Sequence, residues 1–517
     1  MKKLKLVSLA IAMACATPSL AGGLLTNTNQ HVAFNRMMSR EASIGIDGVY
    51  YNPAGVVFMG EGKHLAINWQ LAYQTRSIEN DYPLFTNNVN NPTTPREFKG
   101  KAFAPVIPSF QYAYNKGRWS LQAGFALTGG GGKCTFDDGL GSFEKIVAET
   151  ALAACQLAGA VDQVAAQYRV PAVFTNNDKF GKEGKYSYNS YMHGRQYYYG
   201  LSLGAAYKFS DNFSAFAGVR GVYASTNYYG YVENIKVGAM PLYMVLDPTK
   251  ETAANIELSC DQSGVGFTPI IGVDFKTGKW NFAAKYEFKT RIRLKNKSVN
   301  QVPSIGNLPD NLRNAYIAGG VPEQAADAII GNPVIQGAMR QLKTQFDDKL
   351  EKAIGEYEDG KKIAGDIPAY LALGVGYSPV NAVRVNVGFH WFDDKHATSY
   401  NNRQEKLDRG TLEYNAGVEV DVNKKITLST GWQNTNYGLS DEYMDDKSFV
   451  VSSNSAAIGG VYHINKKMDL NVAYFHTFYQ HKKTSEKVQL SANQSINYNS
   501  DYTRNNNVFA VGLDINF

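Results

Sequence analysis

The sequence predicts an all-β fold: a transmembrane barrel of fourteen antiparallel strands with an N-terminal hatch and helical external loops. Three observations predict it: apolar/polar alternation over runs of about ten residues, short connections interleaved with long ones, and an export leader ahead of an apolar pre-barrel segment. Composition agrees. The 517 residues are 44% hydrophobic and 19% charged, with 48 Gly, 33 Tyr, 26 Phe and 4 Cys, which excludes a disordered chain and a disulfide scaffold. Mean hydropathy is −0.31, and past the N-terminus no apolar run is long enough for a spanning helix.

Residues 1–21 read as a signal peptide. Lys2, Lys3 and Lys5 precede an apolar stretch from Leu6 to Ala16, and Ser19-Leu20-Ala21 is small at both positions a signal peptidase reads. Cys15 offers a lipoprotein site instead, but Ala12 stands three residues before it, where Leu is usual. Loss of the three lysines takes the formal net charge from +6 to +3. That is too weak to suggest nucleic acid. Cys134, Cys155 and Cys260 remain in an oxidising compartment, where one pair could bridge loops and one thiol would be left over.

Residues 22–62 form the expected hatch. Phe34, Met37, Met38, Tyr50, Tyr51, Val56 and Val57 make the segment too apolar for a solvated tail, and a barrel lumen is the available place to pack it. A small periplasmic subdomain or an extra strand pair is the plainer alternative.

The barrel is expected over residues 63–517. Alternation marks strands near 64–77, 101–115, 118–128, 195–209, 212–230, 262–276, 279–295, 367–377, 382–396, 411–422, 426–437, 450–464, 467–481 and 502–517. The last is the clearest: Phe509, Val511, Leu513, Ile515 and Phe517 share one face, and Ala510, Gly512, Asp514 and Asn516 the other. Strands of a soluble sandwich run about 5–6 residues. These are longer, with Gly-rich and charged inner faces and aromatic residues near the ends, as lipid outside and a polar lumen require. Short links such as Lys276-Thr277-Gly278 and Asn423-Lys424-Lys425 alternate with longer segments, the longest near 129–194 and 296–366, so both termini belong at the periplasmic end. Within those segments, residues 142–168 and 333–356 carry apolar residues at three-to-four spacing, the latter Val334, Ile335, Ala338, Met339, Leu342, Phe346, Leu350 and Ile354. Both read as amphipathic helices.

The stretch Gly22-Gly23-Leu24-Leu25-Thr26-Asn27-Thr28-Asn29-Gln30, with Ala42-Ser43-Ile44-Gly45 and Val49-Tyr50-Tyr51-Asn52-Pro53-Ala54-Gly55, resembles the hatch of the FadL/TodX outer-membrane transporters of long-chain fatty acids and aromatic hydrocarbons. The start resembles the version found in Bacteroidetes. Similarity extends to Pro368-Ala369-Tyr370 through Tyr377-Ser378-Pro379 and to the closing strand. The resemblance implies a monomeric, hatch-plugged barrel in a Gram-negative outer membrane, which captures apolar molecules at its external loops and releases them sideways. It implies Asn52, Pro53, Ala54 and Gly55 as the hatch motif. In that family an inward kink of the third strand makes the side opening, and Gly129, Gly130, Gly131 and Gly132 follow the third strand here. A glycine run that merely starts a loop is the alternative.

Parity places Ile107, Phe216, Ile270, Phe475 and Tyr479 on inner faces, where with the hatch they could line an apolar pocket, and Arg220, Lys285 and Arg384 beside them could meet a carboxylate. Packing against the hatch is the competing reading of each. No catalytic set or metal site is expected, and no cofactor. Gly200-Leu201-Ser202-Leu203-Gly204 has the spacing of a nucleophile elbow but lies inside an alternating strand. Gly132-Lys133 is followed by Cys134, where a phosphate loop needs Ser or Thr. His476 and His481 fall on opposite strand faces. Two functions remain: a passive transporter of hydrophobic small molecules, and a binding or shuttle component of a secretion system. A general porin comes third, because a hatch opposes it.

Overall fold

The structure is a computed structural model describing residues 24–172, 184–491 and 494–517; the leader and Gly22-Gly23 lie outside the described residues. A single closed antiparallel sheet winds through fourteen barrel strands. They are β1 (Gly62–Asp81), β2 (Arg96–Lys116), β3 (Trp119–Phe136), β4 (Tyr186–Lys208), β5 (Phe213–Val237), β6 (Ile256–Thr277) and β7 (Trp280–Glu287, resuming at Arg293–Gln301). The second half is β8 (Lys362–Ala364, resuming at Tyr370–Val380), β9 (Val383–Phe392), β10 (Thr411–Asn423), β11 (Ile426–Asn436), β12 (Ser453–Asn465), β13 (Met468–Tyr479, resuming at Lys482–Ser491) and β14 (Gln494–Asn516). The seam joins first strand to last, from His64 opposite Asn516 to Asp81 opposite Asn499.

Alternation sets the two faces. On β1, Asn68, Gln70, Gln74 and Arg76 are buried inside, while Ile67, Trp69 and Tyr73 stand exposed outside. The outer rows continue around the wall, with Phe267 at 69% and Val265 at 63% exposure. A soluble monomer does not show so extensive an apolar belt; bilayer contact requires it. Aromatic rings mark the short-turn end of that belt, Trp119 against Tyr207 at 4.7 Å and Trp280 against Tyr377 at 4.3 Å between centroids.

The strands outrun the alternating segments. β3 does not stop at Thr128 but carries the glycine run on to Phe136, and β4 begins at Tyr186, so the two longest external segments are 137–185 and 302–361. Above the bilayer neither face has to be apolar, so the pattern fades while backbone pairing continues. Tyr186 and Ser187, for example, still pair with Val237 and Lys236. The β13/β14 hairpin projects in the same way, with Lys482 opposite Tyr502 and Ser491 opposite Gln494.

Inside the barrel, the segment before β1 forms α1 (Val32–Met37) and α2 (Gly48–Tyr51). His31 caps α1, its Nδ1 accepting from the Ala33 N–H at 2.9 Å, and Met38 ends it in the left-handed region at φ 60°. Glycine inner faces make the room: a Cβ on Gly417 or Gly431 would meet the Met37 carbonyl at 2.1 or 1.7 Å. Outside, α3 (Gly141–Gln167), α4 (Tyr243–Leu246), α5 (Leu308–Ala318), α6 (Glu323–Ile330) and α7 (Pro333–Ile354) pack into one apolar cluster with Phe136, Tyr228 and Phe449. The two expected amphipathic helices are α3 and α7. Of the α7 stripe, Ile335 and Met339 are buried and Val334 is exposed, whereas the Phe346, Leu350 and Ile354 side chains lie outside the described residues. Cys134, Cys155 and Cys260 are not joined in a disulfide, so the loop bridge that the sequence left open is not made here.

Candidate functional site: the hatch, the kinked strand and the outer cavity

The hatch is held by polar contacts matched to inward strand positions. Asn29 and Gln70 exchange hydrogen bonds, Asn29 Nδ2 to Gln70 Oε1 at 2.9 Å and Gln70 Nε2 to the Asn29 carbonyl at 2.7 Å. Asn52 Nδ2 donates to Asp274 Oδ2 at 2.6 Å, while its Oδ1 accepts from the Gly55 N–H at 3.0 Å. Gln122 Nε2 reaches the Pro53 carbonyl at 2.7 Å and Ser214 Oγ the Ala54 carbonyl, also at 2.7 Å. The Asn-Pro-Ala-Gly turn is thereby fixed to β3, β5 and β6.

Buried ion pairs add to this. Arg36 of α1 pairs with Glu419, and Arg40 with Asp47 at 2.7 Å within the hatch. His390 lies between Glu41 of the hatch at 2.7 Å and Glu413 at 2.8 Å. The three cations anticipated as partners for a ligand carboxylate are already engaged. Arg220 forks onto Glu287 at 2.6 and 3.0 Å. Lys285 Nζ bonds Glu287 at 2.9 Å and the Tyr50 carbonyl at 2.6 Å, 3.8 Å from the Tyr50 ring centroid. Arg384 binds Glu419 at 2.6 Å and Asp421 at 2.8 Å.

The five inward apolar residues do not gather into one pocket. Ile107 and Phe475 close on Phe34, Met38, Tyr50 and Tyr51, and Phe216 and Ile270 close on Ala54 and Val57. Tyr479 lies higher, half-buried at the edge of the outer cluster beneath Arg504, 5.1 Å from its ring centroid. Four of the five therefore pack the hatch, because a stopper of that size leaves their side chains no free space.

Pairing between β2 and β3 is interrupted part-way along the two strands. β2 and β3 pair from Lys116 opposite Trp119 to Phe110 opposite Phe125, and again from Ala102 opposite Cys134. Between these, the two strands share no ladder. β2 carries Pro105 and Pro108 there, residues without an N–H to give a neighbour. β3 bends at Gly130 (φ +70°) and Gly132 (φ +154°), conformations open to glycine, and its register against β4 slips on both sides of Gly130. The hatch start takes up the freed backbone. Thr26 bridges Gly129, the Asn27 N–H donates to the Thr128 carbonyl at 2.9 Å, and Asn27 Nδ2 donates to the Gly130 carbonyl at 2.6 Å. Next to the interruption, Gln30, Tyr50, Gln111, Phe125 and Ala126 enclose a void of about 10 Å³, about one water's worth.

Among the larger spaces on the external side, two lie over the hatch and among the loop helices. One, of about 450 Å³, sits over the hatch start, bounded by Leu24, Leu25, Tyr198, Asp394, Arg403 and Tyr443, a mixed polar lining. The other, of about 120 Å³, lies among the loop helices and is nearly all apolar, with Val147, Ala153, Leu157, Leu246, Ile305 and Leu312 on its walls. An engineered apolar cavity of roughly 150 Å³ takes up benzene, so this space suits a small hydrophobic molecule. The α3 stripe pointed toward it. The share from α4 and α5 went unread, although the apolar run Leu242 to Leu246 inside a loop was a legible signal.

No protein-family model matches the chain, and no curated protein does. Solved structures do. A FadL homologue from Pseudomonas aeruginosa superposes with a TM-score of 0.59 at 14% identity, covering 96% of this chain and 100% of its own. The chain has the FadL fold. A TodX ΔS2S3 mutant, described as a monoaromatic hydrocarbon channel, gives a TM-score of 0.52 at 14% identity over 94% of this chain and 98% of its own. In this FadL-type barrel, a break in pairing falls on the third strand, at the glycine run singled out from the sequence.

Proposed function

We propose that the chain is a passive channel for hydrophobic small molecules in a Gram-negative outer membrane, acting as a monomer. The leader of residues 1–21 is removed on export and residues 22–62 serve as the stopper. Ligand enters the apolar cavity beneath α3, passes the polar chamber over the hatch start, and leaves sideways into the bilayer where β2 and β3 part. The observation that carries the reading is the unpaired stretch of β2 and β3, occupied by the hatch's own Asn27. A porin needs an open axial path, and this lumen is filled. The named relatives, a FadL homologue and a monoaromatic hydrocarbon channel, support a hydrophobic cargo. Which chain length or ring it prefers is left open by walls that discriminate weakly between molecules differing by a methylene.

The test is uptake. Cells lacking the gene should accumulate radiolabelled oleate or toluene more slowly than cells carrying it. Equal rates for both compounds would overturn the transport reading.

A further inference from the structure

We propose that the outward face of β7, its break included, and of β8 docks lipopolysaccharide, the phosphorylated glycolipid of the outer leaflet, at the upper edge of the apolar belt. Arg291, Arg293, Lys295 and Lys297 are exposed in alternation with the buried Ile292, Leu294 and Asn296. A register slip puts them there. Ile270 of β6 stands opposite Glu287, but Ser263 stands opposite Lys295, so β7 holds one residue more than β6 over that stretch. An extra residue exchanges the two faces of everything beyond it. Below the slip, Trp280, Phe282 and Phe288 point to the lipid. Above it, Ile292 and Leu294 turn inward to the cluster of Tyr198, Val222 and Ile363, and the four cations turn out.

The wall itself does not neutralise this row. Lys295 stands directly opposite Lys362 of β8, which is exposed as well, and like charges facing each other across a ladder repel. Among the described residues, no carboxylate lies within ion-pair reach of Arg291, Lys295, Lys297 or Lys362. The acids around them are engaged elsewhere. Asp366 meets Arg293 at 2.8 Å and Lys289 at 4.0 Å, and Glu358 meets Lys361 at 3.5 Å. Asp261 accepts from Asn227 Nδ2 at 2.8 Å, and Asp359 from the Ser298 N–H at 2.8 Å. At other places on the external side lysines do meet acids: Lys99 and Glu97 at 3.8 Å, Lys145 and Glu486 at 2.6 Å, Lys482 and Asp441 at 2.7 Å.

The row begins where the belt ends. A Cβ on Gly266 would meet the Arg291 carbonyl at 2.8 Å, which sets Arg291 beside Val265 and Phe267, two of the most exposed apolar side chains of the wall. Apolar surface below and unpaired cations above match a molecule with acyl chains at one end and phosphate at the other. Arginine takes phosphate through two parallel hydrogen bonds, and lysine takes it as a point charge. Lipopolysaccharide presents both parts at this depth, because its phosphates lie on the sugars that bear the acyl chains. A free anion would leave the belt unused, and glycerophospholipids belong to the inner leaflet. Such docking requires the outer-membrane location proposed for the chain and is independent of transport.

The experiment is calorimetric titration of the purified protein in uncharged detergent with deep-rough lipopolysaccharide, with the same lipid after enzymatic removal of its phosphates, and with inorganic phosphate. The phosphorylated lipid should bind about tenfold more tightly, or better, than either of the others. Arg291→Gln, Lys295→Gln, Lys297→Gln and Lys362→Gln combined should lower that affinity about tenfold or more, since charge-assisted bonds are lost. Lys424→Gln, Lys425→Gln, Lys466→Gln and Lys467→Gln combined, on short turns at the opposite end of the barrel, remove the same charge and should leave it unaltered. Equal affinity for the two lipids, inorganic phosphate bound as tightly as the lipid, undiminished affinity in the first variant, or an equal loss in both variants overturns the proposal. If the first variant does not fold, the comparison of the two lipids on the native chain decides alone. Membrane fractionation reports the location separately, so failed binding by a chain that fractionates with the outer membrane counts against this surface and not against the location.

Discussion

At the scale of single residues, the lumen is crowded with side chains whose partners are fixed, and this separates packing from ligand contact. Phe475 is fully buried against the hatch. Replacing it by Ala removes a ring from a filled site and should cost about 3–5 kcal/mol of stability. Detergent unfolding should register that loss, while affinity for an apolar ligand stays as it was; weakened binding with unchanged stability would place Phe475 in a ligand pocket instead. Inward direction was readable from parity for Ile107, Phe216, Ile270 and Phe475. Their partners were not, because alternation gives the face a side chain is on and says nothing of what fills the other side. The cations show the same limit: Arg220 and Lys285 were legible as inward, but Glu287, which satisfies both, sits on the same inner face with nothing in the pattern to link them.

At the scale of elements, α3 and β3 carry the two features on which the proposed transport rests. α3 lends Val147, Ala153 and Leu157 to the outer cavity. Ala153→Phe should fill that space, so binding of toluene to the purified protein should fall by tenfold or more, as a lost apolar site of this size implies, with the barrel's melting temperature little changed. β3 offers a lock. Thr26 and Gly129 are bridge partners, and antiparallel partners stand about 4.5–5.5 Å apart at Cα, within disulfide reach. In a background with Cys134, Cys155 and Cys260 replaced by Ala, Thr26→Cys with Gly129→Cys should block uptake when oxidised and restore it on reduction. Uptake insensitive to the redox state would show that the hatch start need not leave β3. The glycine run was visible in the sequence as an interruption; that β3 resumes pairing beyond it was not, since Cys134 to Phe136 lie above the bilayer, where alternation no longer distinguishes strand from loop.

At the scale of the whole molecule, hatch, wall and external loops meet at Asp394. It accepts from the Thr411 N–H at 2.9 Å and Oγ1 at 2.6 Å, and from the Leu24 N–H at 3.3 Å. Burial outweighs these bonds and pushes its carboxyl up from 3.8 to about 6. A folded pKa above the unfolded one means stability present in full below about pH 3.8 and lost as pH rises through about 6. The junction should therefore exchange amide hydrogens faster at pH 7 than at pH 4.5, after correction for intrinsic rates. Asp394→Asn should flatten the difference, and equal protection of the native chain at both values would refute it. The overall architecture was the most legible level of all, because a bilayer imposes one strict rule on every strand. The loops obey no such rule, so only their two long amphipathic helices stood out.

The join between β1 and β14 has a consequence for biogenesis. The first strand pairs with the last, so the sheet cannot close until the final strand is in place, and before that it holds two unsatisfied edges. Its cork lies directly ahead of one of them in the chain. A polypeptide shortened by its final strand would keep the cork but lose the wall against which Gln74 and Arg76 are laid; such a fragment should be degraded in the periplasm rather than inserted.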